Sequence, residues 1–178
     1  MIGYSTSNIL DFAKSPSVCI VNAANRKLTK GGGVCGVIHE AAGPDLELAC
    51  KHILKRRRKD IMPGSAVLTH GGYLPSKVIH AVGPIYGQYE FPIACKLLAK
   101  TYTSILNLAQ KNGVRGLVIP AISCGIYGFP IESACRVAVI SVQYWAYMNP
   151  TVYMDVVLSA FDVNVEICYR DMGLIEIV

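Results

Sequence analysis

The sequence predicts an α/β protein in which a central, mainly parallel sheet carries helices on both faces. Three observations lead there. Short, continuous apolar runs rich in β-branched residues alternate with longer amphipathic stretches. Strands that are apolar throughout are those buried on both faces, the setting in which parallel sheets occur. Apolar residues make up 52% of the 178 positions against 16% charged, with a mean hydropathy of +0.39. That supplies an ample core for a chain of one-domain length and excludes a disordered one.

Ser17 to Val21 opens the set as a buried strand. Gly33 to Ala42 is expected to be a helix starting after a glycine stretch, and Pro44 to Lys59 a second one with Pro at its first turn. Ala66–Thr69 and Val78–Val82 are strands separated by the Gly71-Gly72 turn. Phe91 to Asn112 is a long amphipathic helix stopped by Asn112-Gly113, and Leu117–Ile119 is the next strand. A loop at Ser123–Gly128 leads into a helix from Pro130 to about Tyr147, and Asp155 to Phe161 closes the series as a strand. Residues 1–178 are expected to form a single domain without repeats or linkers.

No run of eighteen uncharged apolar residues occurs; the richest stretch, Ala134 to Met148, contains Arg136 and Gln143. A membrane span is not expected. Met1 to Ser5 lacks the layout of a signal peptide, so a soluble cytoplasmic protein is expected. Seven cysteines without a CxxC pair fit reduced thiols, and Cys19, Cys95 and Cys135 sit among apolar neighbours as core residues do. The net charge is +5, and Lys55-Arg56-Arg57-Arg58-Lys59 equals all of it. That run has two readings: a surface for RNA or another polyanion, or a solvated helix end complementing the dipole.

Ligands of such sheets collect beyond the carboxyl ends of the strands. Two segments fall there. Val21-Asn22-Ala23-Ala24-Asn25 is followed by Lys30-Gly31-Gly32-Gly33-Val34-Cys35-Gly36, and Pro120-Ala121-Ile122-Ser123-Cys124-Gly125-Ile126-Tyr127-Gly128 makes a second strand-to-helix turn. Consecutive glycines let a backbone approach a ligand and aim N–H groups at an anion, with a helix N-terminus behind them. Two such turns on one edge suit a diphosphate. Neither matches GxGxxG or GxxxxGK(S/T), so dinucleotide oxidoreductase and P-loop chemistry lack support.

These segments, together with His80-Ala81-Val82-Gly83-Pro84, stand in the order and spacing of a macrodomain, and the resemblance runs from about Ile2 to Phe161. It implies a three-layer α/β/α macrodomain fold that binds ADP-ribose and, in many members, removes ADP-ribose from modified proteins. The Asn8-to-Asn22 approach and the Phe161-Asp162 pair resemble the replicase macrodomains of positive-strand RNA viruses, nidoviruses in particular. That likeness implies a viral nonstructural polyprotein, the host cytoplasm and antagonism of innate immunity.

By the same resemblance, Lys30, Gly31, Gly32, Gly33 and Val34 surround the distal ribose and one phosphate. Pro120, Ala121, Ser123, Cys124, Gly125, Ile126 and Tyr127 form the second phosphate loop. Ala23, Ala24 and Asn25 border the distal ribose, with Asn25 and Tyr127 as the residues that hold it for reaction, Tyr127 being read alternatively as a packing lid over the phosphate loop. For Asn25 the competing reading is a loop cap, and Asn22 competes as a structural residue. Asn8 and Ile9 fall at the adenine, where members usually place Asp; the Asn8 amide accepts without charge assistance, or Asp11 contributes instead. Phe161 is read either as an adenine stack or as core. Cys35 stands where hydrolases of the MacroD type carry Asp, and a thiol is a poor base for water. Alphavirus members are similar in carrying Cys here, so activity stays open, with a substrate phosphate activating water.

Cys35 and His39, four apart on a helix, have no second pair to make a metal site, and His70 and His80 read as structural. No metal or cofactor is expected. Two functions follow: a mono-ADP-ribosyl hydrolase acting on modified proteins, or a reader of ADP-ribose or poly(ADP-ribose) without turnover. Both act as a monomer.

Overall fold

Along each inner strand, successive side chains enter opposite cores, as the two-residue period of a strand requires. Cys19 and Val21 face one side while Ile20 faces the other; Leu117 and Ile119 alternate with Val118, and Val156 and Leu158 with Val157. A computed structural model describes residues 1–177 and shows what covers each side. The elements are β1 (Ile2–Ser5), α1 (Ile9–Phe12), β2 (Val18–Ala23), α2 (Gly33–Ala42), α3 (Pro44–Arg57), β3 (Ser65–Thr69) and β4 (Lys77–Val82). They continue with α4 (Phe91–Lys111), β5 (Gly116–Pro120), α5 (Ile131–Met148), β6 (Asp155–Ser159), α6 (Val163–Asp171) and β7 (Ile175–Glu176).

The sheet has seven strands in the order β3-β4-β2-β5-β6-β1-β7. Every neighbouring pair is parallel except β3 with β4, where Ser65 lies opposite Val82 and Thr69 opposite Val78. Helices α4, α5 and α6 supply Leu98, Tyr102, Ile105, Val139, Val142 and Tyr169 to the larger core. Helices α1, α2 and α3 supply Ile9, Ile38, Ala42 and Leu46 to the other. The result is the three-layer α/β/α fold with a mixed, mainly parallel sheet. Each fully buried aliphatic side chain stabilises it by roughly 1.5–3 kcal/mol relative to exposure.

Strand β2 lies between β4 and β5; the chain builds out from it to β3 and β4 on one side and then crosses back to β5 on the other, so a crevice opens above the carboxyl ends of β2 and β5. Both glycine-containing loops start there. Helix ends follow local chemistry: Gly43 (φ 70°) closes α2 and Pro44 opens α3, with Asp45 and Glu47 in its first turn. Helix α3 stops at Arg57, two residues short of the expected Lys59, because Arg58 takes a left-handed conformation (φ 55°) and caps it. Strand β6 also ends early, at Ser159 rather than Phe161. Asp162 accepts a hydrogen bond from the Asn164 N–H at 2.8 Å and turns the chain into α6.

All seven cysteines are free, and Cys95 is half-buried rather than a core residue. No helix among the described residues is long and apolar enough to cross a membrane.

Candidate functional site

The crevice is one cleft with two lobes. The first, of about 330 Å³, is lined by Ala23, Ala24 and Asn25 after β2, Gly31 to Cys35 at the start of α2, Ala81 and Gly83 after β4, and Ala121, Ile122, Ser123, Gly125, Ile126 and Tyr127 after β5. The second, of about 500 Å³, is lined by Asn8, Ile9, Val37, Pro120, Cys124, Ile131, Ser159, Phe161, Asp162 and Val165. Gly33, Val34, Ala121 and Gly125 belong to both. The two glycine-containing loops thus meet between the lobes, and Ile126 closes across Gly32: a Cβ on that glycine would stand 3.1 Å from the Ile126 Cδ1.

The backbone here is held open to a ligand. Helix α2 begins at Gly33 with no side-chain cap, and so does α5 at Ile131, leaving two positive helix ends at the cleft. Among the described residues, the N–H groups of Gly31, Gly32, Gly33, Gly125, Ile126 and Tyr127 donate to no protein acceptor. Ser123 is locked in a left-handed conformation (φ 67°), and its carbonyl accepts from Phe129 at 2.9 Å, which fixes the curl of the second loop. From below, the Ile122 N–H donates to the buried Tyr102 hydroxyl at 3.3 Å. Gly83 has to be glycine because a Cβ there would collide with the Ser123 hydroxyl and with Ile122.

Among the described residues, no carboxylate, imidazole, amine or guanidinium lines the first lobe, and Asp162 is the one charged residue lining the second. Burial pushes the Tyr127 phenol above its ordinary range and the Cys124 thiol up to about 12, so both are neutral at neutral pH. Among the described residues no three His, Cys, Asp or Glu side chains converge as a metal site. An anion held here is held by backbone donors and helix ends.

Several expected site residues sit otherwise than the sequence suggested. Asn25 lines the first lobe, but its amide is largely committed to its own loop. Its Oδ1 accepts from Lys27 N (3.1 Å), Thr29 N (3.2 Å) and Thr29 Oγ1 (3.3 Å), and its Nδ2 donates to the Thr29 carbonyl at 2.7 Å. The loop-cap reading therefore describes its contacts, and one Nδ2 hydrogen remains for a ligand. Asn8 lines the second lobe, yet its Oδ1 caps α1 by accepting from Leu10 N at 3.0 Å. Asp11 is outside the lining and pairs with Lys14 at 2.8 Å. Lys30 is also outside it, pairing with Glu40 at 2.8 Å. Phe161 is 85% exposed at the rim and is not core.

Asn22 is fully buried and turned away from the cleft, with its Nδ2 3.1 Å from His80 Nδ1. His80 also meets Thr69 Oγ1 at 2.9 Å, and its ring lies 6.3 Å from that of buried His39. Both His39 nitrogens lack a partner among the described residues. Burial lowers both imidazole pKa values, that of His80 from the ordinary 6.5 to about 3. The unfolded chain therefore takes up protons that the fold refuses. Stability from these groups is full above pH 6.5 and is lost as pH falls from 6.5 toward 3. His39→Leu is expected to raise stability by about 1 kcal/mol, by removing two unpartnered polar atoms, and to flatten the acid slope. Thermal melts of both proteins across that pH range check it; an unchanged slope counts against a buried neutral His39.

Sequence reasoning missed Val37, Ile131, Ser159, Asp162 and Val165 in the second lobe, and Ala81, Gly83 and Ile122 in the first. Ala81, Gly83, Ile122 and Asp162 stood inside the segments that carried the resemblance without being assigned to the site, whereas Val37, Ile131, Ser159 and Val165 left no such signal.

Comparison with known proteins agrees with this geometry. The Macro domain family model matches residues 21–138. The chain is 48% identical over 125 residues to an O-acetyl-ADP-ribose deacetylase of Citrobacter rodentium, covering 70% of each chain. It is 40% identical over 163 residues to an uncharacterized protein of Fusobacterium nucleatum, covering 90% of this chain and 89% of that one. Among solved structures, the Oceanobacillus iheyensis macrodomain with ADP superposes with a TM-score of 0.82 at 34% identity, covering 90% of this chain and 85% of that chain. The Trypanosoma brucei macrodomain in complex with ADP-ribose gives 0.78 at 32% identity, covering 96% and 67%. The chain belongs to the macro domain family.

Proposed function

We propose that the two-lobed cleft binds ADP-ribose and that the protein hydrolyses esters of its distal ribose. The observation that carries this reading is the set of six unengaged backbone N–H groups on the two loops, those of Gly33 and Gly125 where the lobes meet and the other four along the first lobe, backed by two uncapped helix ends. A diphosphate placed there would leave the second lobe for adenine, beside Phe161, and the first for the distal ribose, beside Asn25 and Tyr127. Relatives named O-acetyl-ADP-ribose deacetylase support hydrolysis. An acetyl group and a protein carboxylate are both held on the distal ribose through a carboxylate ester, the second at the anomeric carbon, so mono-ADP-ribosylated proteins are the second substrate class of this proposal. No ionised side chain among the described residues faces the first lobe, which leaves a substrate phosphate as the group that activates water.

The test is incubation of the purified protein with O-acetyl-ADP-ribose and with an automodified, mono-ADP-ribosylated protein. Release of acetate and of ADP-ribose is expected, and binding without either release would leave a reader module. That second reading draws on the engaged amide of Asn25 and on Cys35 in place of a carboxylate. A monomer in a reducing cytoplasm is part of the proposal, which the seven free thiols support. The viral lineage is a proposal resting on the Asn8-to-Asn22 spacing and Phe161-Asp162 alone, since the relatives named above are bacterial and trypanosomal.

Two results are expected of binding. Because the anion meets N–H groups and no ionised side chain, ADP-ribose affinity should change less than about threefold as salt rises from about 0.05 to about 0.3 M. A steep loss would mean that a cation reaches the phosphates. Phe161→Ala should weaken ADP-ribose binding about fivefold to tenfold, the usual effect of removing one stacking ring. The melting temperature should not change, since Phe161 supports no core. Unchanged affinity would place adenine elsewhere.

A further inference from the structure

The cleft leaves the basic run unused, and the fold places it against an unpaired sheet edge. Among the described residues, strand β3 has β4 on one side and no strand on the other. Arg56 and Arg57 from the end of α3 and Lys111 from the end of α4 wall a groove of about 830 Å³, and Ala66, Val67 and Leu68 of that edge strand form its floor. All three cations are exposed, and none takes part in an ion pair among the described residues.

Helix dipoles do not account for this charge. Two helix C-termini converge here and bring about half an elementary negative charge each. Three full positive charges stand against them. Nor is the strand protected by its own residues: Ser65 to Thr69 contains no charged residue and no proline, the usual devices that keep an edge from pairing.

We propose that this groove binds an extended, acidic segment of a partner polypeptide, which adds to β3 as a further strand. Main-chain hydrogen bonds along the edge would give affinity, and Arg56, Arg57 and Lys111 would select acidic side chains. A second copy of the chain is disfavoured, because it would bring the same cations against each other. Single-stranded nucleic acid is disfavoured too: no aromatic residue lines the groove, and such sites gain much of their affinity from stacking. The proposal does not rest on the ADP-ribose reading.

The test uses the whole protein and three fluorescein-labelled probes. They are a peptide of about eight alternating Val and Glu residues, the same peptide with Lys for Glu, and a polyuridine RNA of equal charge. The acidic peptide is expected to bind and the lysine peptide not. Arg56→Glu, Arg57→Glu and Lys111→Glu together should weaken the acidic peptide at least about tenfold, as loss of three paired charges implies, while ADP-ribose affinity stays as it was. Amide signals of residues 65–69 should shift and gain hydrogen-exchange protection when the peptide binds. The proposal is overturned if the acidic peptide fails to bind, if it binds no better than the lysine peptide, or if it binds with the β3 amides unchanged. RNA binding together with peptide failure would make the patch a polyanion surface and would likewise end the proposal.

Discussion

Gly32→Glu is expected to lower ADP-ribose affinity by about a hundredfold or more while the melting temperature stays close to that of the unaltered protein. Two effects add. A Cβ at this position already stands 3.1 Å from Ile126 Cδ1, so a longer side chain has to enter the space between the lobes. Its carboxylate would then lie at the uncapped start of α2, taking the N–H groups offered to a phosphate and repelling the anion. The fold should tolerate the change, because Gly32 has φ −87° and ψ 179°, an extended conformation open to any residue. Neighbouring Gly33, at φ 58°, does not offer that control. Calorimetric titration beside a thermal melt separates the outcomes. Normal binding by a folded Gly32→Glu would put the anion elsewhere.

Asn25→Ala is expected to reduce turnover about a hundredfold, the usual scale for losing one group that positions a substrate. The structure adds a second consequence. Asn25 ties Lys27 and Thr29 to itself, and Cys35 Sγ approaches the same Thr29 carbonyl at 3.7 Å. Removing the amide therefore loosens the loop that delivers Gly31 to Gly33, so binding should fall as well, by about tenfold. Cys35→Ala should keep most activity, since a thiol that only approaches a carbonyl contributes neither base nor nucleophile. Initial rates on the same ester substrate give the ordering. An inactive Cys35→Ala beside an active Asn25→Ala would reverse the assignment of roles.

The central elements were legible because strands buried on both faces and long amphipathic helices leave strong patterns; β2, β4, α4, β5 and α5 appear within two residues of their expected bounds. Helix α6 was not legible, and the reason is physical. Val163, Val165 and Ile167 alternate with Asn164 and Glu166, a two-residue period that suggests a strand. In the fold only Val165 and Tyr169, four apart, are buried, while Val163 and Ile167 face outward. Strand β1 is four residues with a glycine inside, kept as glycine because a Cβ at Gly3 would press on the Ile175 carbonyl. Its partner β7 has two residues, too few to carry a pattern.

The cleft was half legible. Loops that approach an anion announce themselves through small residues, so the first lobe could be read almost whole from two segments. The second lobe is assembled from side chains on α1, α2, α5 and α6 and from the end of β6, far apart in the chain, and local sequence does not say that they meet. Asn22 and Asn25 are both asparagines of one short segment with opposite fates. Strand alternation turns Asn22 into the core toward His80, while Asn25 lies beyond the strand where the chain curls.

The most direct measurement is calorimetric titration of the unaltered protein with ADP-ribose. The cleft, with its six free backbone donors and two helix ends, predicts one site with low- to mid-micromolar affinity, about −7 kcal/mol, and a rise in melting temperature with ligand. No heat and no thermal shift at millimolar ADP-ribose would contradict it.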